Sequence, residues 1–205
     1  MSAWRSFAIV PAAGRSVRMG QPKLLLPWGS STVIEQVLAA WRASRVTATC
    51  IVLHPADVEL ATIAERCGVT RAIAATPPPD MKASLLLGRQ AIDEQWQPHT
   101  DDAVLIAPAD LPLLSHGTID ALLANYDPRQ NESLVPLDDS GRRSHPVLIP
   151  WKWLTKLHEL DDTQGLKDLL ERQPMREIHV PGLTRAEDID TPANYDRLHN
   201  RYHPH

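Results

Sequence analysis

The stretch FAIVPAAGRSVRMGQPK, residues 7–23, joins an apolar run to a loop that carries glycine and basic residues. The run over residues 7–11 is long enough for a short buried strand and too short for a helix. The small residues Ala12, Ala13 and Gly14 follow, so a ligand can approach the main chain closely, and Gly14 can adopt backbone angles closed to other residues. The sequence therefore predicts a strand that ends in a ligand-binding loop.

Two cationic side chains, Arg18 and Lys23, stand in the same loop. Pro22 fixes the turn before Lys23 and disfavours helix at Gln21, so both cations are expected to project from a constrained segment. Cationic side chains and free backbone N–H groups are the usual partners of phosphate oxygens. The loop therefore predicts binding of a polyphosphate, and the alternative is an ordinary solvated basic loop.

Two familiar phosphate-binding loops do not fit this spacing. The dinucleotide fingerprint needs G-x-G-x-x-G, but no glycine occurs between Gly14 and Gly20. The Walker loop needs Gly-Lys followed by Ser or Thr, whereas Gly20 is followed by Gln-Pro-Lys. The loop must therefore belong to another class of phosphate site.

The whole segment resembles the signature of the MobA-like nucleotidyltransferases, and its RMGQPKLLLPW portion is most similar to their molybdenum cofactor cytidylyltransferase branch. This resemblance implies a three-layer α/β sandwich with a mostly parallel, Rossmann-like central sheet of the nucleotide-diphospho-sugar transferase type. It also implies Mg²⁺ as cofactor. The order of segments is consistent with such a fold, because apolar runs alternate with stretches of helical periodicity. The predicted strands are 7–11, 47–53, 70–75, 102–107, 133–137 and 176–180, and the predicted helices are 30–43, 57–66, 80–96, 115–126, 151–160, 165–172 and one beginning at 192.

Length and charge narrow the class of protein. A chain of 205 residues without a break in composition predicts one domain over residues 1–205. A net charge of −4 argues against a protein that binds nucleic acid or a membrane surface. Cys50 and Cys67 form neither a disulfide framework nor a zinc motif, and no run has the length of a membrane span or of a signal-peptide core. We therefore expect a cytoplasmic protein with reduced thiols.

Two aspartates are candidates for a metal site. Asp110 stands between prolines after the predicted strand 102–107, where open α/β sheets place ligands, although a turn aspartate would show the same local pattern. The resemblance assigns it to Mg²⁺. The ending DIDTPANYDRL is similar to the family's DIDTPEDYERL, which assigns a second metal ligand to Asp190 and, more weakly, to Asp188. Both Asp110 and Asp190 are expected at carboxyl-terminal strand edges beside the first loop, and Mg²⁺ commonly takes one or two carboxylates with phosphate oxygens.

Two further segments match the family only in part. DMKASL is similar to the family motif GMxxSL, which assigns Ser84 to the nucleotide base, and the alternative is simple helix-start chemistry. SHPV is similar to the family motif GHPV, which assigns His145 to the acceptor, and the alternative is a hydrogen-bonded strand histidine. The chain departs from the family pattern at Thr76, Asp80 and Ser144.

The resemblance implies transfer of a nucleotidyl group, which needs positioning and charge neutralisation rather than a protein nucleophile. Lys23 is assigned to the α-phosphate, Arg18 to the β- and γ-phosphates, and the backbone of residues 12–14 to the base. Enzymes that use guanine nucleotides tend to carry Gly-Gly where this chain has Ala13-Gly14, and the Ala13 methyl would crowd a purine. CTP is therefore the expected nucleotide, and molybdopterin or a similar phosphorylated small molecule the expected acceptor.

Three alternatives remain open at this point. One is a guanylyltransferase or other nucleotidyltransferase of the same family with a different acceptor. Another is a glycosyltransferase, because residues 188–190 have the D-x-D form, although such pairs normally follow a strand in the middle of the chain. A non-catalytic nucleotide-binding regulator would also account for the departures from the family pattern, but it has little use for two metal carboxylates.

Overall fold

The computed structural model of the protein describes residues 4–14, 19–181, 183 and 187–203. The strands in these ranges are β1 (Ser6–Pro11), β2 (Pro27–Trp28), β3 (Ser31–Thr32), β4 (Ala48–Leu53), β5 (Thr70–Ile73), β6 (Ala103–Ile106), β7 (Ser133–Leu137), β8 (Val147–Pro150) and β9 (Met175–His179). The helices are α1 (Val33–Ala43), α2 (Val58–Arg66), α3 (Met81–Trp96), α4 (His116–Asn125), α5 (Trp151–Leu154), α6 (Leu166–Glu171) and α7 (Pro192–Tyr202).

Within the described ranges, seven strands form one sheet in the order β5-β4-β1-β6-β8-β7-β9, while β2 and β3 form a separate hairpin. The first four strands in this order run parallel, so their carboxyl ends meet at one edge. Strand β8 runs antiparallel to β6, with Ile106 opposite Val147. The residues that precede β8 therefore lie at the same edge as the residues that follow β6.

The sheet is buried on both faces, which explains why β1 is a continuous apolar run rather than an alternating one. Ala8 and Val10 point into a core with α1, α2, α4 and α7, whereas Phe7 and Ile9 point into a second core with α3, α5 and α6. The predicted three-layer α/β fold with a mostly parallel sheet is thereby confirmed.

Two predicted helices differ from the observed ones. The first helix begins at Val33 rather than at residue 30, because the Thr32 side chain accepts a hydrogen bond from the Glu35 N–H and the Glu35 carboxylate accepts one from the Thr32 N–H. The predicted helix over residues 151–160 is wrong, since α5 ends at Leu154 and a 3-10 turn follows over Thr155–Glu159. The Thr155 hydroxyl donates to the Lys152 carbonyl, a local bond that competes with regular helix.

Helix α3 packs closely on the sheet through Gly88. A methyl group added there would lie 2.8 Å from Ile9 Cγ2 and 3.0 Å from Val52 Cγ2, which is closer than real contacts of this kind. Glycine in a helix normally costs stability relative to alanine. Its place in α3 is therefore explained by the short distance between helix and sheet.

We expect Gly88→Ala to lower the free energy of unfolding by about 1–2 kcal/mol, because overpacking outweighs the gain in helix propensity. Gly117→Ala in α4 is the matched control, since its methyl group would meet no atom nearer than the Ser115 Oγ at 3.8 Å. Urea unfolding of both variants measures the difference. A Gly88 variant as stable as the Gly117 variant would contradict this account of the packing.

Candidate functional site

The loop after β1 is tied to its neighbours by main-chain bonds. The Ala12 N–H donates to the Val52 carbonyl at 2.9 Å, and the Ala109 N–H donates to the Pro11 carbonyl at 3.3 Å. These bonds hold the start of the loop after β1 against β4, and the segment after β6 against the end of β1, at the carboxyl edge of the sheet. This edge is where open α/β sheets bind ligands.

Lys23 is placed by the turn that the sequence predicts. Pro22, with φ of −64°, leads into a 3-10 turn over Lys23–Leu25. Among the described residues of the loop, Gly20 has a left-handed backbone, with φ of +65°, whereas Gly14 does not have a positive φ. The expectation of unusual backbone angles at Gly14 is therefore wrong, but its missing side chain leaves open space, because a methyl group there would meet no atom within 4 Å.

The Lys23 ammonium joins the two predicted metal carboxylates. It hydrogen-bonds to Asp110 Oδ2 and, at 3.1 Å, to Asp190 Oδ1. Asp190 does not lie at a strand edge as expected, because residues 187–190 form an irregular segment directly before α7. The Ile189 N–H donates to the Asp110 carbonyl at 3.2 Å, and this bond draws the segment against the end of β6.

The carboxylates of Asp110 and Asp190 shift the pKa of Lys23. Burial by itself lowers the pKa of Lys23, but hydrogen bonds and charge from Asp110 and then Asp190 outweigh burial, so the pKa is raised above its ordinary value. Lys23 is therefore a cation at any physiological pH. The other oxygen of Asp110, Oδ1, is buried and has no hydrogen-bond donor among the described residues.

The donor set fits a magnesium ion. Two carboxylate oxygens that share one ammonium are at most about 6 Å apart, and the orphaned Asp110 Oδ1 provides a further oxygen that lacks a partner. In the described part of the chain, no group of three or more His, Cys, Asp or Glu could hold a metal by itself. A magnesium ion here would therefore take its remaining ligands from phosphate and water, as Mg²⁺ usually does.

A cavity of about 310 Å³ opens beside Lys23 and Asp110. Its walls are the loop after β1, the start of α3 and the segment after β6, and they include Ala12, Ala13, Gly14, Lys23, Pro78, Pro79, Asp80, Ser84 and Asp110. The Ser84 hydroxyl donates to the Asp80 carbonyl at 3.1 Å. Ser84 therefore stabilises the first turn of the helix by this hydrogen bond. It also lines the cavity, and its hydroxyl oxygen can still accept a hydrogen bond.

A second cavity, of about 240 Å³, lies on the other side of the segment after β6. It is polar and is lined by Pro108, Leu111, Asp138, Arg142, Arg143, Ser144, His145 and Asp188. Two buried polar atoms in its wall, Ser144 Oγ and His145 Nδ1, have no hydrogen-bond partner within the described ranges. Buried polar groups are normally paired, so such atoms are candidates for binding a ligand.

The Asp138 carboxylate shapes this second cavity. Its Oδ1 accepts hydrogen bonds from the Ser140 hydroxyl, the Ser140 N–H and the Arg142 N–H, at 2.6, 2.9 and 3.0 Å. The bond from the Ser140 hydroxyl is the main reason that the pKa of Asp138 lies below its usual range. The turn between β7 and β8 is thereby held in the shape that carries Arg142 to the cavity.

The profile of the MobA-like NTP transferase domain matches residues 8–178. The chain belongs to the MobA-like NTP transferase family. This membership confirms the predicted resemblance and makes the chain a member of a nucleotidyltransferase family. The loop after β1 and Asp110, which lie at the carboxyl edge of the sheet, both fall within the matched residues.

Curated relatives in this family carry different activities in their names. Molybdenum cofactor cytidylyltransferase of Escherichia coli is 26% identical over 95% of both chains. The 2-C-methyl-D-erythritol 4-phosphate cytidylyltransferase of Nitrosospira multiformis is 31% identical over 69% of this chain, which spans 63% of that relative. Phosphoenolpyruvate guanylyltransferase of Sphaerobacter thermophilus is 32% identical over 82% of this chain and 77% of its own.

A solved structure shares the fold of this chain. The structure of a protein from Mycobacterium sp. strain JC1, described as a homologue of a Mycobacterium tuberculosis protein, has a TM-score of 0.78 and 26% identity, with 96% of each chain covered. The fold of this chain is thus shared with that protein over nearly its whole length. No helix in the described ranges is both long and apolar enough to cross a membrane.

The structure brings most of the predicted MobA-like site residues together. Lys23, Asp110 and Asp190 are in contact, and the residues 12–14 and Ser84 line the first cavity. His145 lines the second cavity, whereas Arg18 lies outside the described residues. Residues that sequence reasoning did not assign to a site include Pro78, Pro79, Asp80, Asp138 and Arg142. Asp80 could have been predicted as a site residue, because it replaces the glycine of the family motif GMxxSL.

His145 is held neutral by its surroundings. Burial lowers the pKa of His145 below its ordinary value, although the Ile106 backbone and the charges of Asp110 and Asp188 act in the opposite direction. The unfolded chain therefore takes up a proton at higher pH than the folded chain does. Stability from this group is complete above the unfolded pKa of about 6.5 and is lost as pH falls toward the folded value.

We expect the free energy of unfolding of the wild type to decrease, relative to that of His145→Asn, as pH falls below about 6.5, by up to about 1.4 kcal/mol per pH unit. Urea unfolding of both proteins between pH 7.5 and 5 measures the difference in the free energy of unfolding. Groups that titrate alike in both proteins do not contribute to that difference. Parallel curves for the two proteins would contradict a depressed pKa at His145.

Proposed function

We propose that this MobA-like protein is a magnesium-dependent cytidylyltransferase. In this proposal it transfers CMP from CTP to molybdopterin or a similar phosphorylated small molecule and releases pyrophosphate. The observation that carries the proposal is the contact of Asp110 and Asp190 with one ammonium, that of Lys23, beside the cavity formed by residues 12–14. A lysine, together with two carboxylates that would hold Mg²⁺, suits the neutralisation of a triphosphate.

The nucleotide would lie across the first cavity. Its base would rest on the backbone of residues 12–14 near Ser84, where the absence of a side chain at Gly14 leaves room. Its α-phosphate would lie at Lys23. The ammonium that bridges two carboxylates in the free protein would then bind phosphate oxygens, and Asp110 and Asp190 would be released to hold Mg²⁺.

The reaction needs no protein nucleophile. An oxygen of the acceptor phosphate, already anionic at neutral pH, attacks the α-phosphorus of CTP. A new P–O bond forms, the bond between the α-phosphorus and the bridging oxygen breaks, and pyrophosphate leaves with that electron pair. Lys23 stabilises the negative charge that develops around the α-phosphorus, as preorganised charges generally do. Bound Mg²⁺ would add neutralisation of the phosphate oxygens.

The acceptor would occupy the second cavity. Pro108 lines both cavities, so an acceptor held there approaches the α-phosphate past the segment that carries Asp110. Arg142 supplies positive charge, and Ser144 and His145 supply buried polar atoms that lack partners among the described residues. A phosphorylated and otherwise polar small molecule matches this lining.

The preference for CTP rests on Ala13. Its methyl group narrows the place where the family members that use guanine nucleotides tend to have glycine, and a pyrimidine fits the narrower space better. Relatives named as cytidylyltransferases and as a guanylyltransferase occur among the similar proteins, so the base is decided by local contacts rather than by family.

We expect pyrophosphate release when the protein is incubated with CTP, Mg²⁺ and molybdopterin, little or none with GTP, ATP or UTP, and none in excess EDTA. Pyrophosphate appearing only with GTP would overturn the base assignment. Hydrolysis of a nucleotide-sugar without turnover of any nucleoside triphosphate would favour a glycosyltransferase instead. Tight CTP binding without turnover against a panel of phosphorylated acceptors would favour a regulator.

We expect Asp110→Asn and Asp190→Asn each to reduce turnover by about 10²- to 10³-fold, because each removes a carboxylate that would hold Mg²⁺, and the ion would neutralise the negative charge of the transition state. Asp196→Asn is the matched control, since Asp196 is an exposed residue of α7 and has no place in the site. Initial rates of pyrophosphate release over a range of Mg²⁺ concentrations measure the effect. Full activity of the Asp190 variant at low Mg²⁺ would contradict its role.

A further inference from the structure

Asp80 stands at the mouth of the first cavity, between Pro79 and the first turn of α3. Its Oδ1 accepts a hydrogen bond from the Ala83 N–H at 2.7 Å, which caps the helix. Its main-chain carbonyl accepts from the Ser84 hydroxyl at 3.1 Å and from the Ser84 N–H at 3.2 Å. Asp80 is therefore held by three hydrogen bonds at two of its atoms, and its orientation is set by the helix that it caps.

The cap leaves the second carboxylate oxygen available. Among the described residues, the hydrogen bonds of the Asp80 side chain go to Oδ1, and none reaches Oδ2. Because Oδ1 is fixed by Ala83, the direction of Oδ2 is fixed as well, since the carboxylate is planar. Asp80 lines the cavity, so Oδ2 is a negatively charged acceptor beside it whose direction is set before a donor binds.

We propose that Asp80 selects the base of the nucleotide by accepting, at Oδ2, a hydrogen bond from the exocyclic 4-amino group of cytosine. This inference rests on the proposed function, since it assumes that the base lies in the first cavity. Cytosine and uracil have the same shape, but position 4 is an amino donor in cytosine and a keto acceptor in uracil. An ionised carboxylate can only accept, so it attracts the first and repels the second.

Asp80 and Ala13 would then each exclude a different group of nucleotide bases. The Ala13 methyl group acts on size and disfavours the purines, some of which also carry amino groups. Asp80 acts on hydrogen-bond polarity and separates the two pyrimidines, which size cannot distinguish. A glycine at position 80, as relatives usually carry, has no side chain for this purpose, so the selection would be a property of this chain.

The expected preference for CTP over UTP depends on the charge and the solvent exposure of the Asp80 carboxylate. A hydrogen bond to a charged group is stronger than one between neutral groups, but Asp80 is exposed in the free protein and keeps some contact with water. We therefore expect about tenfold to thirtyfold tighter binding of CTP than of UTP.

The test is Asp80→Asn. Only an acceptor can cap the Ala83 N–H, so the amide oxygen takes the place of Oδ1 and the amide NH₂ group takes the place of Oδ2. The variant keeps the helix cap, because asparagine caps as well as aspartate does, and it replaces an acceptor by a donor in the same direction. The donor suits the 4-keto group of uracil, so the preference is expected to reverse in favour of UTP.

Two further variants complete the design. Asp80→Ser keeps a cap but has no second polar group, and its CTP and UTP affinities are expected to become nearly equal. Asp93→Asn makes the same change of charge on the same helix, at a residue paired with Arg89 away from the cavity, and is expected to keep the wild-type ratio. Isothermal titration of each protein with CTP and with UTP, in Mg²⁺, gives the ratio of dissociation constants without an acceptor or turnover.

The outcomes separate this inference from the proposed function. A reversed ratio for Asp80→Asn together with an unchanged ratio for Asp93→Asn supports the role of Asp80. A wild type that prefers CTP and an Asp80→Asn variant with the same preference overturns the inference and leaves the proposed function intact. A wild type that binds UTP or GTP more tightly than CTP overturns the inference and the choice of CTP, and a wild type that binds no nucleotide overturns both proposals.

Discussion

The contact of one lysine with two aspartates organises the functional edge of this protein. Asp110 and Asp190 are 80 residues apart in the sequence, and two carboxylates in a partly buried setting repel each other unless a cation lies between them. In the free protein that cation is Lys23. The same contact ties the turn after Pro22, the end of β6 and the segment before α7 to one point, so the geometry of the site depends on it.

The mixed sheet explains why two different cavities meet at this point. Parallel strands place the ends of β1, β4 and β6 at one edge, and the antiparallel β8 brings the turn before it to that edge from the opposite direction. The first cavity is built mainly from the parallel part, and the second cavity from the turn between β7 and β8. In the proposed function, a nucleotide and an acceptor would approach the segment that carries Asp110 from its two sides.

Sequence patterns predicted roles for Lys23, Asp110, Asp190, Ser84 and His145, because each lies in a motif whose residues are close in the chain. They did not assign Asp138 or Arg142 to a site, since a polar turn between two strands looks like any other solvated turn. Asp80 was visible only as a departure from a pattern. Its Oδ1 caps α3 and the residue lines the first cavity, and this combination depends on the position of α3 beside the loop after β1.

The amino-acid sequence by itself determined the fold class and the chemical character of the loop after β1, because apolar periodicity and loop composition act over short distances along the chain. Only the tertiary structure decided that Asp190 approaches Asp110 from an irregular segment rather than from a strand end, that Gly20 has a left-handed backbone and Gly14 does not, and that Gly88 has no room for a methyl group. These features depend on distances between elements that are remote in sequence. Packing and long-range hydrogen bonds set those distances, and neither can be read from local residue patterns.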